Sequence, residues 1–172
     1  YQNGLFRTYA YLPQFNSANL SIRSFVNRGP EKVIGSRDGL FYINEATGIV
    51  KSFVKPVLTS DLILTICFYE GEYYIGTYGG GMMVLNPQTL SLKYFTQGDT
   101  ELFQKGHIFC VKPDNRGNLW IGTSQGLFCY NGQTKQIKNF TSTNSQLPEG
   151  NVYEVSFDST GKGWIATETG MC

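Results

Sequence analysis

The chain has 172 residues, of which 41% are hydrophobic, 15% are aromatic and 16% are charged. This length is typical of one domain whose core is large enough to fold alone, and the low charge and many rings exclude a disordered chain. The net charge of +1 provides no basic or acidic surface that would predict binding to nucleic acid. Because no run approaches the roughly 18 consecutive apolar residues of a membrane span, we expect no direct membrane contact by this chain.

Four segments share one pattern, in which a triplet such as Ile-Gly-Thr is followed a few residues later by Gly-Leu or Gly-Met. The segments are residues 33–42, 74–84, 120–130 and 164–171. Their central glycine, which is alanine in the last segment, stands at positions 35, 76, 122 and 166, so the intervals are 41, 46 and 44 residues. Repeats of this length with strand-like content predict the blades of a β-propeller.

In chain order, the first predicted element is the outer half of a blade at residues 1–15, where Gly4-Leu5-Phe6 matches the start of a third strand. Two complete units follow, at residues 20–55 and 61–96. In the second of these, the glycine run at residues 79–81 predicts a turn with one extra residue between the second and third strands.

The third complete unit, residues 106–141, has the clearest pattern. Its predicted strands are residues 107–112, 119–123, 127–130 and 136–140. Asn131-Gly132 predicts a hairpin between the last two strands, and the segment at residues 96–106 is predicted to be a loop. The chain then ends in the inner half of a blade, at residues 151–172.

We therefore predict an all-β fold, a single partial β-propeller over residues 1–172 with about three whole blades plus two partial ones. A helical fold is excluded because no window keeps apolar residues at helical spacing for even twelve residues. Two interpretations of the ends stay open. The chain is a piece of a longer propeller, or its two half blades pair, within one molecule or between copies. Exposed sheet edges would favour self-association.

The repeated residues have a packing explanation. The aromatic residues at 74, 120 and 164 are large enough to fill the wedge between neighbouring blades. The glycine two positions later leaves room for the next sheet to approach. The isoleucine between them points to the opposite face, because side chains alternate along a strand.

The pattern Asp114-x-x-Gly117-x-x-Trp120-Ile121-Gly122-Thr123-x-x-Gly126-Leu127 resembles the two-component regulator propeller repeat. The segment from Asp158 to Thr167 repeats it, with Ala166 in place of glycine. The first unit departs from the pattern, with Val33 where the aromatic residue belongs, and the second lacks the turn aspartate. The resemblance recurs four times and covers nearly the whole chain.

The resemblance implies the periplasmic sensor region of a hybrid two-component system of the Bacteroidetes type. Such a parent has two propellers, a β-sandwich, a membrane helix, a histidine kinase and a response regulator with a DNA-binding end. It implies a periplasmic location within an inner-membrane-anchored protein that responds to glycan fragments. The implied partners are an oligosaccharide ligand and the remainder of the sensor.

The sequence contains no recognisable catalytic motif. His107 is the single histidine, which leaves no Cys/His cluster for a metal and few ways to build a triad. Because it stands at the start of a predicted innermost strand, we interpret His107 as a polar residue at the entry of that strand. The glycine run at 79–81 lacks the following Lys-Ser/Thr of a phosphate loop. We therefore expect no enzyme activity, no metal and no cofactor.

A binding face is predicted where the loops after the second and the fourth strands of each blade emerge together. The loops after the second strands carry the candidate ligand-binding residues Arg37, Tyr78, Gln125 and Glu168. Carbohydrate recognition needs planar aromatic faces and polar side chains, and these residues supply both, although solvated turn residues would look the same. The leading hypothesis is a ligand-sensing propeller. The alternatives are a propeller enzyme, such as a lyase or a glycoside hydrolase, and a pure protein-interaction scaffold.

Overall fold

The computed structural model describes residues 21–98 and 100–172. The half blade predicted at residues 1–15 lies outside the described residues. The described chain forms three four-stranded antiparallel sheets and one two-stranded sheet, each built from consecutive strands. The prediction of an all-β propeller fragment with four-stranded antiparallel blades is confirmed.

The strands follow one another in the order in which they pair. The first sheet contains β1 (Ile22–Arg28), β2 (Glu31–Ser36), β3 (Leu40–Asn44) and β4 (Ile49–Phe53). The second contains β5 (Ile63–Tyr69), β6 (Glu72–Thr77), β7 (Met82–Leu85) and β8 (Leu92–Tyr94). The third contains β9 (Ile108–Pro113), β10 (Asn118–Thr123), β11 (Gly126–Asn131) and β12 (Ile137–Phe140). The two-stranded sheet pairs β13 (Val152–Phe157) with β14 (Gly163–Thr167).

The first strands of neighbouring sheets contact one another, β1 with β5, β5 with β9, and β9 with β13. These strands therefore form the inner edge of the fragment, around which the blades are arranged. The apolar core lies between the sheets, because one large buried cluster joins the first two four-stranded sheets and another joins the second and third.

The glycine of each repeat lies where the next blade comes closest. A Cβ atom on Gly76 would lie 2.7 Å from Cγ2 of Ile108, the first residue of β9. A Cβ on Gly122 would lie 2.6 Å from the carbonyl oxygen of Val152, the first residue of β13. The prediction that these glycines admit the neighbouring sheet is therefore confirmed.

The residues beside each glycine point to opposite faces, as the alternation of a strand requires. Tyr74 is buried in the core between the second and third sheets, whereas Ile75 is buried in the core between the first and second. Trp120 packs toward the two-stranded sheet, where its ring lies 6.1 Å from that of Phe157.

Trp164 departs from the predicted packing role. Its side chain is 42% exposed, and the Lys162 ammonium lies 4.3 Å from the centre of its ring. Among the described residues, no further sheet covers the face of β14 that carries this ring.

A short helix, α1 (Thr100–Lys105), lies within the segment predicted to be a loop, so that prediction was wrong in part. Leu102 and Phe103 are 1% and 0% exposed, and both belong to the core between the second and third sheets. Six residues are too few to show a helical period in the sequence, and burial between blades stabilises the turn.

The hairpin predicted at Asn131-Gly132 is present, because β11 and β12 pair in an antiparallel arrangement. β11 ends at Asn131 and β12 begins only at Ile137. The Asn131 side-chain oxygen accepts hydrogen bonds from the backbone N–H groups of Gln133 and Thr134, at 3.1 and 2.9 Å. The hairpin loop therefore spans residues 132–136, and the asparagine side chain closes it.

Candidate functional site

The loops that carry the four candidate residues lie at the same end of their sheets. In each sheet, the residue after the second strand donates its backbone N–H to the residue before the first strand. The pairs are Arg37 to Ser21 (3.1 Å), Tyr78 to Leu62 (3.0 Å), Ser124 to His107 (3.2 Å) and Glu168 to Asn151 (2.9 Å). Arg37, Tyr78 and Glu168 therefore occupy equivalent positions, and Gln125 lies one residue beyond the equivalent Ser124.

A hydroxyl group closes each of these loops. The last residue of every second strand donates its side-chain hydroxyl to a glycine carbonyl across the turn. The bonds are Ser36 to Gly39 (3.1 Å), Thr77 to Gly81 (2.9 Å), Thr123 to Gly126 (2.8 Å) and Thr167 to Gly170 (2.9 Å). The second loop has one residue more than the others, as its glycine run predicts. The candidate residues are therefore displayed on closed, short turns.

The extra residue of the second loop is linked to α1. Gly81 has a φ of 71°, and its backbone N–H donates to the Gly106 carbonyl at 3.0 Å. A Cβ at this position would collide with the backbone of Phe103. The glycine run thus lets the loop that carries Tyr78 pass closely over the short helix.

The four candidate side chains are exposed. Tyr78 is 50% exposed, and Arg37, Gln125 and Glu168 are also on the surface. The side chain of Arg37 forms no hydrogen bond or ion pair with any residue that the structure describes. Glu168 accepts a hydrogen bond from the backbone N–H of Asn151 at 3.3 Å.

Gln125 lines a pocket, and Glu168 lies beside one of the residues of its wall. This pocket of about 270 Å³ is lined by residues 124–126, 141, 142 and 147–150. Gly150 belongs to its wall and has a φ of 105°, and a Cβ there would lie 2.9 Å from Cβ of Glu168. Gln125 therefore lines the pocket and Glu168 lies next to its Gly150 wall, while Arg37 is two blades from Gln125 and three blades from Glu168.

Tyr78 stacks on the single histidine. The ring centroids of Tyr78 and His107 are 4.0 Å apart, with an interplanar angle of 30°. His107 lies just before β9, as its predicted place at a strand entry requires, and its Nδ1 atom is buried without a hydrogen-bond partner among the described residues. Because Ser124 bonds to the His107 carbonyl, this stack adjoins the loop of Gln125.

Sequence reasoning missed a β-bulge that recurs at the start of every first strand. In the third sheet, Thr123 pairs with Ile108 and Gly122 pairs with Cys110, so Phe109 has no partner across the ladder. The same register shift leaves one extra residue in each of the other sheets. The four bulge residues are Arg23, Leu64, Phe109 and Tyr153. A bulge redirects a side chain out of the regular alternation.

The bulge residues carry different side chains, and two of them extend the aromatic stack. The Phe109 ring lies 6.1 Å from that of His107 and 5.1 Å from that of Tyr153 in the next sheet. The spacing of the bulge positions follows the repeat period, and this is the signal by which they could have been found in the sequence.

The ionisable groups with shifted pKa values lie away from this face or are buried. Burial raises the pKa of the Cys67 and Cys110 thiols to about 12, so both remain protonated at neutral pH. All four cysteines are free. Within residues 21–98 and 100–172, no three His, Cys, Asp or Glu side chains are grouped as a metal site would need.

The architecture defines the class of protein. Sheets of four antiparallel strands, arranged around a common inner edge by their first strands, are the blades of a β-propeller. Residues 103–125 match the family model described as two component regulator propeller. The predicted presence of such a repeat is therefore confirmed at the unit where the sequence pattern is clearest.

Solved structures support the same assignment. The chain is similar to the extracellular domain of a hybrid two component system, BT4673, from B. thetaiotaomicron, with a TM-score of 0.72 and 22% identity over 88% of this chain. It is also similar to that of BT3049 from the same organism, with a TM-score of 0.64, 29% identity and 88% coverage. The computationally designed Ika4 protein has the same fold at 14% identity, with a TM-score of 0.66 and coverage of 91% of this chain and 92% of that one.

The chain spans only 20% of the length of the two bacterial structures. Both are described as extracellular domains of hybrid two component systems. No curated protein matches the chain significantly. In the part of the chain that the structure describes, no helix is long and apolar enough to cross a membrane.

Proposed function

We propose that this chain is part of a ligand-sensing propeller in the extracytoplasmic region of a hybrid two-component signalling protein, and that its ligand is a glycan fragment. The match of residues 103–125 to the regulator propeller family carries this proposal. The similarity to the BT3049 domain at 29% identity supports it. The parent would be anchored in the inner membrane, with this region in the periplasm.

The exposed side chains of the loop face support a polar ligand. Gln125 presents an amide in the pocket between the third and fourth blades, and Glu168 presents a carboxylate beside its Gly150 wall. Tyr78 presents an aromatic ring on the second blade. A site with a few polar groups beside aromatic surface suits a ligand that has both hydroxyl groups and apolar faces.

The proposed mechanism is a population shift. A ligand on the loop face can change the packing of sensor domains only as far as it binds one arrangement better than another. Contacts with two neighbouring blades at the pocket would meet this condition, because the ligand would then favour one relative position of those blades.

The experiment is calorimetric titration of the whole chain with defined hexasaccharides: a β-1,4-glucan, a β-1,4-xylan, an α-1,4-glucan and a β-1,4-mannan. At least one should bind with saturable heat. Glu168→Gln or Gln125→Ala should weaken that binding about ten-fold, the equivalent of roughly 1.4 kcal/mol for one lost hydrogen bond to a charged or amide group.

Lys138→Ala is the matched control, because Lys138 is exposed on β12 and lies outside the loop face. No saturable heat with any hexasaccharide would contradict glycan sensing. Release of a shortened sugar during the titration would instead favour the alternative of a lyase or a glycoside hydrolase.

A further inference from the structure

The inner edge of the fragment carries a row of aromatic rings that crosses three blades. Tyr78 belongs to the second blade, His107 and Phe109 to the third, and Tyr153 to the fourth. Successive ring centroids along this row are 4.0, 6.1 and 5.1 Å apart. The residues are far apart in sequence, so only the arrangement of the blades brings them together.

The two ends of the row are the exposed part. Tyr78 is 50% exposed and Tyr153 is 44% exposed, whereas His107 and Phe109 between them are partly buried. His107 supports one side of the Tyr78 ring by stacking, and the edge-to-face contact with Phe109 supports Tyr153. Each exposed tyrosine therefore has a ring neighbour that helps to fix its position, and about half of its side chain is open to solvent.

The bulge explains why these rings are not in the core. Residues on either side of Phe109 in β9 point into the cores between blades, where Ile108 and Cys110 are 0% and 1% exposed. Phe109 and Tyr153 are the extra residues of their strands and escape that alternation. Both contribute to the inner edge without loss of packing between the blades.

Polar groups adjoin the exposed rings. The Asn151 side-chain amide donates to the Tyr153 hydroxyl at 3.2 Å, and the Asn151 backbone bonds to Glu168. The Tyr153 end of the row therefore adjoins the loop that carries Glu168. A protein partner would be expected to bury a larger apolar surface than two separated tyrosines, whereas sugar rings have apolar faces that stack on single aromatic rings and hydroxyl groups that bond beside them.

We infer that this aromatic row is the stacking platform for an oligosaccharide, in which one sugar ring lies on Tyr78 and another, further along the same chain, lies on Tyr153. This inference rests on the proposed glycan-sensing function and adds the site, its direction across the blades and the need for more than one sugar unit. Tyr78 and Tyr153 contact the ligand, and His107 and Phe109 position them.

The test uses the whole chain and the hexasaccharide from the four named above that binds best. Tyr78→Ala and Tyr153→Ala should each weaken binding at least ten-fold. The matching monosaccharide should bind at least ten-fold more weakly than the hexasaccharide. Tyr94→Ala is the control and should change the affinity less than two-fold, because Tyr94 is 41% exposed on β8, the outermost strand of its blade.

The outcomes separate the inference from the proposed function. If a hexasaccharide binds and both tyrosine variants keep its affinity within two-fold, the platform is wrong while glycan sensing stands. Equal affinity for the monosaccharide would also reject the platform. Absence of binding by all four hexasaccharides would reject both. Circular dichroism of each variant checks that the fold is retained. Tyr78→Phe, which keeps the ring, should preserve binding.

Discussion

At the scale of single residues, a glycine and a β-branched side chain of the next blade form the repeated contact between blades. Gly35, Gly76 and Gly122 face the first residues of the following blades, Ile63, Ile108 and Val152. All three of these first residues are 0% exposed. A side chain on the glycine would push the next first strand away, so the recurrence of glycine in the repeat reflects close packing and not catalysis.

Gly76→Ala should destabilise the chain by about 1–3 kcal/mol, because an added methyl group in a filled core forces the neighbouring strand to move. Urea denaturation followed by tryptophan fluorescence measures this change. Gly170→Ala is the control, since a Cβ there would meet no atom within 4 Å. A free energy of unfolding for Gly76→Ala equal to that of the control would contradict the packing explanation.

The turn aspartate of the repeat joins the turn to the tryptophan. Asp114 accepts from the backbone N–H of Arg116 at 2.8 Å, from that of Asn118 at 2.9 Å and from the Trp120 indole N–H at 2.9 Å. Partial burial raises the pKa of Asp114, but these bonds and that of the Asn118 amide outweigh it and hold the pKa below its usual value. The ionised form is therefore the one that the fold favours.

Asp114→Asn should lower the free energy of unfolding by about 1 kcal/mol, because the amide places a donor where the carboxylate has an acceptor oxygen beside the indole. The pKa of Asp114 is lower in the folded chain than in the unfolded chain. The stabilisation by the ionised carboxylate is therefore fully present above the unfolded pKa of about 3.9, and it is lost as the pH falls through the folded pKa. The difference in free energy of unfolding between wild type and variant should stay constant from about pH 5 to 7 and shrink below about pH 4.

Asp158→Asn is the matched control, since Asp158 occupies the equivalent turn but is exposed beside the exposed Trp164. Its effect should be smaller than that of Asp114→Asn. An equal or larger effect would show that burial of the tryptophan is not what makes the aspartate important.

At the scale of elements, tyrosine hydroxyl groups join the turns of one blade to those of the next. The Tyr69 hydroxyl, at the end of β5, donates to the Gly117 carbonyl at 2.7 Å and accepts from the Gly132 N–H at 2.9 Å. The Tyr73 hydroxyl in β6 donates to the Glu31 carboxylate of the first blade at 2.8 Å. These bonds lie at the end of the sheets opposite the candidate residues.

Tyr69→Phe should lower the free energy of unfolding by about 1–2 kcal/mol, because it leaves two backbone groups of the third blade without their partner. Thermal unfolding monitored by circular dichroism measures the loss. Tyr94→Phe serves as the control, since that tyrosine is exposed on an outer strand. A loss no greater than that of the control would mean that water replaces the tyrosine at this turn.

At the scale of the whole molecule, the blades differ in how completely they are covered. β6 is buried along nearly its full length, with a sheet on each side of its blade. β14 is only partly buried and carries the exposed Trp164. Within the described residues it pairs with β13 and meets Met171 through a single bridge. Stability should therefore fall from the second blade toward the fourth.

Amide hydrogen exchange measured by mass spectrometry tests this gradient. Amides of β14 should exchange at least roughly ten-fold faster than those of β6, which corresponds to about 1.4 kcal/mol in the free energy of local opening. Equal protection of the two strands would indicate that the blades unfold as one cooperative unit.

Much of the fold could be predicted from the sequence, because the blade signals are local. The intervals between Gly35, Gly76, Gly122 and Ala166 predicted the repeat, and strand alternation predicted the opposite faces of Tyr74 and Ile75. The helix α1 could not be predicted, because its short segment is stabilised by the burial of Leu102 and Phe103 between two blades. The exposure of Trp164 was missed for a related reason, since the pattern shows the ring but not what covers it.

The candidate site, like the fold, could be predicted from the sequence only in part. The sequence by itself determined that Arg37, Tyr78, Gln125 and Glu168 follow the second strands, because the position of a turn depends on its own residues. Only the tertiary structure decided that Gln125 lines a pocket with Glu168 beside its wall, and that Tyr78 stacks on His107. It also decided that the bulges bring Phe109 and Tyr153 together, because contacts across blades depend on how the sheets are arranged around their inner edge.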